Sequence, residues 1–401
     1  MAAIVLLAAA GRAADGGEAS LQRLVDAHDW FGLRSAMPRR DTAAFYRGVA
    51  AAAFQDLPAA ERYLRAAIAS GLDRERLYSA HHTLAEIYLR NGLYAKSVAE
   101  GRATWESRPP SASEKSLLAL MVNLADQTVA RRQAASVRYS TWEGGEIAAP
   151  VIINGKQASY ALDSDSNLQV ICDSEAKRLG LEEVKGDLAI LGVTGTAAPG
   201  ARMAVARSFV IGNTELRNVA FVVLRDDQEP FAGLSGDSRG VIGLPVLLAV
   251  GTFRWNREKR LDIGFPSPRR AANGVELGFD GSDPIAAVEI EGHPFSVLLD
   301  TGNEKSAGWA RLGQEFPELL RNAKKGTEDL LGYSGLGSIE AMIVPELRWK
   351  IGTFAVTERD TPVFLQTIPT AGRYYGRLGI DLLQLAREVT LDFRAMRLTL
   401  R

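Results

Sequence analysis

Two short acidic motifs carry the chemistry this chain is equipped to perform. Asp163-Ser164-Asp165 follows the run Tyr160-Ala-Leu162, and Asp300-Thr301-Gly302 follows Val297-Leu-Leu299, with the leading aspartates 137 positions apart. A pair of carboxylates can do general acid–base work: one takes a proton from water while the other, as the neutral acid, gives one to a carbonyl oxygen. Two like charges in contact cannot both ionise cheaply, so a pair that meets shares a proton. Whether these two meet depends on the elements that carry them.

Those elements come twice. Val151-Ile-Ile-Asn154-Gly155 and the residues after it read as a β-hairpin, because Asn-Gly supplies the two positive-φ residues of a tight I′ turn. Val288-Glu-Ile-Glu291-Gly292 repeats the hairpin and runs straight into Asp300. Later, Gly240-Val-Ile-Gly243 in the first copy corresponds to Gly376-Arg-Leu-Gly379 in the second, displaced by 136. Each is followed by a closing strand pair, Gly251 to Ile263 and Arg387 to Leu400, and Pro266 to Gly274 reads as the linker between copies. Four landmarks that keep step to within one residue mark a duplicated β-rich unit.

On these residues, from about Glu146 to Arg401, the chain resembles the bilobal aspartic peptidases, each lobe similar to the retropepsin-like aspartyl proteases of bacteria. The resemblance implies two all-β lobes, 146–266 and 274–401, with Asp163 and Asp300 as a catalytic dyad that cleaves a peptide or protein substrate with an activated water and no metal or other cofactor. It further implies that Ser164 and Thr301 tie the two loops together, that Gly302 lets backbone approach the carboxylates, and that Gly243 and Gly379 support the loops from below. Flap hairpins over the cleft fall on Gly192 and Gly195 in the first lobe and on Tyr333 and Gly335 in the second. One residue departs from the pattern: Asp165 stands where the family has glycine. Its side chain is expected to crowd the opposite loop, and a third carboxylate disturbs a shared proton. A second reading therefore stays open, a catalytically inactive peptide- or protein-binding module on the same fold.

Other chemistries have less to stand on. Gly236-Asp-Ser238-Arg-Gly240 matches the serine-hydrolase elbow, but Val-Ile-Gly-Leu-Pro245 is a poor helix start, and His293 is the lone histidine of the β-rich part. The single cysteine, Cys172, reads as a small core residue and excludes an internal disulfide, and no phosphate-binding Gly-rich loop is present. His81 and His82, adjacent on a predicted helix, point about 100° apart and do not make a metal pair. The charge balance, 47 Lys plus Arg against 48 Asp plus Glu in 401 residues, offers no field to recruit nucleic acid or an anionic membrane. No later stretch has the length of a membrane span.

Two features precede the β-rich part. The apolar start, Met1 to Ala10, with small residues around Ala13, resembles a secretory signal peptide over residues 1–14 and implies export to the periplasm or the exterior. Residues 20–132 are Ala-rich with apolar residues at helical spacing. Helix pairs break at Gln55-Asp56-Leu57 and Asn91-Gly92-Leu93, a plan that resembles tetratricopeptide repeats and implies a docking surface for a protein partner. A generic helical spacer is the alternative. The expected architecture is an α+β multidomain chain: a helical, repeat-like unit followed by a two-lobed aspartic-protease-like β domain. The β domain is expected to fold without the helices.

Overall fold

The computed structural model describes residues 17–37, 43–186, 188–191, 197–198, 200–232, 238–267, 274–332, 335–367 and 373–401. The signal-peptide stretch and most of the linker after Pro266 lie outside them.

The amino-terminal part is helical, as the spacing predicts. Its helices are α1 (Glu18–Asp26), α2 (Trp30–Ala36), α3 (Ala44–Ala53), α4 (Leu57–Ala69), α5 (Arg74–Arg90), α6 (Tyr94–Ala103) and α7 (Ala112–Met121). Side-chain carboxylates start several of them: Asp56 Oδ1 accepts from the Ala59 N–H at 3.1 Å and Asp73 Oδ1 from Arg76 at 2.9 Å. These contacts satisfy N–H groups that the first helical turn leaves without partners. Ser111 and Glu114 form a reciprocal capping box at the head of α7. Gly48 of α3 lies so close to Leu64 of α4 that a Cβ would stand 2.5 Å from Leu64 Cγ, which is why the crossing needs a residue without a side chain. The two breaks also touch, Gln55 Nε2 donating to Asn91 Oδ1 at 2.9 Å.

The rest is β-rich and forms two large barrel-like sheets, of nine and thirteen strands among the described residues. β-structure begins earlier than Glu146. Thr128–Arg131 adds to the edge of the long strand Thr214–Leu224, and Ala135–Arg138 pairs with Arg260–Ile263. Both predicted hairpins form: Ile147–Ile153 with Lys156–Leu162, and Asp283–Ile290 with His293–Leu299. Their turns have positive φ at Asn154 (49°) and Gly155 (80°), and at Glu291 (48°) and Gly292 (81°). Glu291 adopts this uncommon conformation with its carboxylate held by Arg348, whose backbone N–H donates at 2.8 Å and whose Nε donates at 2.9 Å. The thirteen-stranded sheet mixes the copies, since Thr252–Asn256 from the first pairs with Glu388–Asp392 near the end of the second.

Three large apolar clusters, with a small fourth one between helices, organise the described residues. The largest runs through both copies and includes Leu162, Ile242, Phe253, Leu299, Leu378 and Leu391. Because side chains alternate along a strand, the other faces of the same strands need a second cover. Helices supply it. Leu298, Trp309 and Phe364 of the second copy share a cluster with Trp30, Phe45 and Leu84. Val170, Val222 and Val241 of the first share one with Val98, Leu118 and Met121.

Polar contacts reinforce the joint with the second copy. Arg90, only 2% exposed, donates to the carbonyls of Ala52 and Gly281 and to Gln55 Oε1. Its guanidinium carbon lies 4.5 Å from the centroid of the Phe279 ring. His28 Nδ1 meets Asp280 Oδ1 at 2.7 Å, and Tyr374 Oη donates to Asp280 at 3.1 Å and Asp283 at 2.8 Å.

Candidate active site

Each leading aspartate is set by a parallel strand pairing. The strand Gly240–Ile242 runs beside Lys156–Leu162 with Ile242 opposite Leu162, and the Asp163 N–H donates to the Ile242 carbonyl at 3.0 Å. In the second copy Gly376–Leu378 runs beside His293–Leu299 with Leu378 opposite Leu299, and the Asp300 N–H donates to the Leu378 carbonyl at 3.0 Å. Next come Leu244 N–H to Ser166 carbonyl and Ile380 N–H to Asn303 carbonyl, both 2.9 Å. The glycines that end these strands are required by space. A Cβ on Gly243 would stand 2.4 Å from the Leu168 carbonyl oxygen, and one on Gly379 would stand 2.6 Å from the Lys305 carbonyl carbon.

The two loops are locked to each other by a reciprocal set of hydrogen bonds. Ser164 Oγ donates to the Leu299 carbonyl at 2.6 Å and accepts from the Thr301 N–H at 3.1 Å. Thr301 Oγ1 donates to the Leu162 carbonyl at 2.8 Å and accepts from the Ser164 N–H at 3.0 Å. Both side chains are buried, so all four backbone groups are satisfied away from water. The lock brings Gly302 against Asp163: a Cβ on Gly302 would stand 2.3 Å from the Asp163 carboxyl carbon. The structure thus brings together Asp163, Ser164, Asp300, Thr301 and Gly302, with Gly243 and Gly379 beneath.

Each carboxylate also accepts from the backbone two residues on. The Asp165 N–H donates to Asp163 Oδ1 at 2.9 Å and the Gly302 N–H to Asp300 Oδ1 at 3.2 Å. Asp165 therefore makes the same backbone contact as Gly302, and its side chain is accommodated, half-buried, at the loop. Burial, and after it the charge of Asp300, pushes the Asp163 carboxyl up to about 8. Burial also raises Asp300, but the Arg377 guanidinium, the Gly302 N–H and Asn303 oppose it. Asp165 is raised well above the carboxylate range by burial, then by Asp300, Asp283 and Asp163, against Arg377. Burial and like charge thus keep the pair from ionising twice, so it holds a shared proton, and Arg377 is the cation that opposes the rise at Asp300.

Of the flap candidates, Gly192, Gly195 and Tyr333 lie outside the described residues. Gly335 pairs with Gly332 at the end of the long hairpin formed by Lys324–Gly332 and Gly335–Ile351. Gly236 and Asp237 of the elbow match also lie outside, and Ser238 leads directly into a strand. Cys172 is fully buried, and burial pushes its thiol up. His81 and His82 take different partners, Glu100 at 2.7 Å and Glu86 at 3.4 Å. Among the described residues no helix is long and apolar enough to cross a membrane.

Residues 149–246 match the family model for aspartyl protease. This part of the chain is aspartyl-protease-like. Among solved structures, a retropepsin-like aspartic protease from Rickettsia conorii is 19% identical, with 33% of this chain and 93% of that chain covered and a TM-score of 0.24. Basic 7S globulin from soybean is 13% identical, with 67% and 94% covered and a TM-score of 0.37. No curated protein matches. In this aspartyl-protease-like setting sequence reasoning missed Arg377, which sits inside the Gly376 to Gly379 element and carries charge to the site. The signal was available: the corresponding residue of the first copy is Val241.

Proposed function

We propose that this chain is an aspartic endopeptidase whose two β lobes each contribute one aspartate. In this reading Asp300, ionised, takes a proton from a bound water, and Asp163, neutral, gives its proton to the carbonyl oxygen of the scissile peptide bond. The gem-diol formed then collapses: the C–N bond breaks as Asp300 passes the proton it took from water to the leaving nitrogen, and Asp163 takes a proton back from a gem-diol hydroxyl, which returns both carboxyls to their starting states. The observation that carries the reading is the reciprocal Ser164–Thr301 lock, which fixes two carboxylate loops from distant parts of the chain against each other. The helical part, in the same proposal, is a repeat-like array that selects or docks protein substrates. The test is turnover of an unfolded polypeptide by the full chain. Asp163→Asn and Asp300→Asn, each folded by circular dichroism, are expected to lower kcat by roughly 10²- to 10⁴-fold, since the amide cannot act as acid or base. Near wild-type turnover in either variant would sink the mechanism.

A further inference from the structure

The two copies place an acid at the same point beside each aspartate loop. In the first hairpin Ala148 lies opposite Ala161, and that antiparallel register, continued just past the strand ends at Ile147 and Leu162, sets Glu146 across from Asp163. In the second, Ile285 lies opposite Leu298, and the same steps set Asp283 across from Asp300. Glu146 and Asp283 are 137 positions apart, the displacement of the aspartates themselves. Residues that face each other across an antiparallel pair have Cα atoms about 4.5–5.5 Å apart, so each acid stands next to its aspartate.

Their surroundings differ. Asp283 is already answered, since Tyr374 Oη donates to it at 2.8 Å and Arg373 Nη2 lies 3.4 Å from it. Glu146 has no ion pair among the described residues, and its Oε2 is buried there without a hydrogen-bond partner. The carboxylate lies over the backbone of its own turn: a Cβ on Gly144 would stand 2.7 Å from Glu146 Oε1. That turn is seated on the second copy, where Gln384, the last residue of the helix Ile380–Gln384, donates to the Gly145 carbonyl. The helix begins beside the second aspartate loop, its Ile380 N–H donating to the Asn303 carbonyl at 2.9 Å. Glu146 thus stands where the two copies meet. Burial raises its carboxyl, its own N–H opposes the rise, and Glu304 and Asp300 add to it. A buried carboxylate oxygen without a donor costs stability, and a cation is the partner that relieves it most.

Resting on the peptidase reading above, we propose that Glu146 is a specificity-determining residue: it takes the ammonium or guanidinium of a Lys or Arg side chain of the substrate, close to the bond that is cut. Its counterpart in the second copy is occupied by Tyr374 and Arg373. The preference is therefore one-sided, for a basic residue on the side of the scissile bond that rests against the first hairpin.

The test uses the full chain and a set of short peptides that carry Lys, norleucine or Glu at one position, placed in turn on either side of a fixed bond. Wild-type kcat/KM is expected to favour Lys over norleucine on one side by about 10-fold or more, the effect of one charge-assisted hydrogen bond. Glu146→Gln is nearly isosteric, and with its fold checked by circular dichroism it is expected to bring that ratio to about one. Glu146→Lys is expected to favour the Glu peptide instead. The same peptides are measured for binding by fluorescence anisotropy. A ratio near one in wild type, or a ratio that Glu146→Gln does not change, overturns the assignment. If no peptide is turned over and binding still favours Lys in a way that Glu146→Gln abolishes, the peptidase reading falls and Glu146 stands as the cation site. If there is neither turnover nor such a preference in binding, both fall.

Discussion

An alanine methyl at position 302 would fall inside the van der Waals radius of the Asp163 carboxyl, so the glycine there is fixed by contact with the opposite loop. Position 165 is under no matching restraint, and an aspartate occupies it with an ordinary negative φ. The loop accommodates it: the Asp165 N–H makes to Asp163 the contact that the Gly302 N–H makes to Asp300. The enclosure has a cost that depends on pH. The ordinary Asp value is 3.8, and in the fold Asp163 is pushed up to about 8. The folded state therefore binds this proton more tightly than the unfolded chain. The stability it contributes is full below the ordinary value and is lost as pH rises through about 8. Asp163→Asn removes the titration. Its Tm is expected to decline less between pH 4 and 8 than that of wild type, and to exceed wild type at the alkaline end. Parallel curves for the two proteins would show that Asp163 does not carry the effect.

At the scale of elements, the lock between the loops is the joint on which everything else bears. Ser164→Ala leaves the Thr301 N–H without its acceptor, and Thr301→Val does the same to the Ser164 N–H. Each buried donor left unsatisfied is expected to cost about 1–3 kcal/mol, and the double variant less than the sum, because the two hydroxyls serve one joint. Chemical denaturation of the four proteins checks this. Additive losses would mean that the two hydroxyls act separately. Much of this joint was legible in the sequence. Asn154-Gly155 announces its turn by residue type, and Glu291-Gly292 becomes readable only because it occupies the same place in the second copy. The strand Thr128–Arg131 was not legible. All four of its residues are exposed, so it has no alternating pattern, and its conformation comes from the free edge of Thr214–Leu224. Arg377 was hidden for a different reason: inside an apolar–apolar–Gly element one charged residue reads as tolerated variation until its depth and its neighbours are known.

At the scale of the molecule, the helices are part of the core. The sequence shows that α3 to α7 are helices with small residues at their crossings, but not which sheet faces they cover, since that depends on partners distant in the chain. Removing them would uncover Leu298, Trp309 and Phe364 on one side and Val170, Val222 and Val241 on the other. At about 1.5–3 kcal/mol for each large apolar side chain, such a loss exceeds the usual stability of a domain. A chain that begins at about Thr128 is thus expected to aggregate or to melt far below the full protein, read by size exclusion and calorimetry. A soluble monomer with the full-length Tm would show that the β part is self-sufficient, as its sequence suggests. The mixed sheet has one more consequence, for the order of events during synthesis. Thr252–Asn256 finds its neighbour only when Glu388–Asp392 has been made, and that strand is in turn flanked by Arg397–Leu400. The first aspartate loop leaves the ribosome more than a hundred residues before the second, and its Ser164 must wait for the carbonyl of Leu299. A nascent chain therefore carries its first acidic loop without the second, and the two loops meet only after the second copy has been made, when the helices made before them already have both copies to cover.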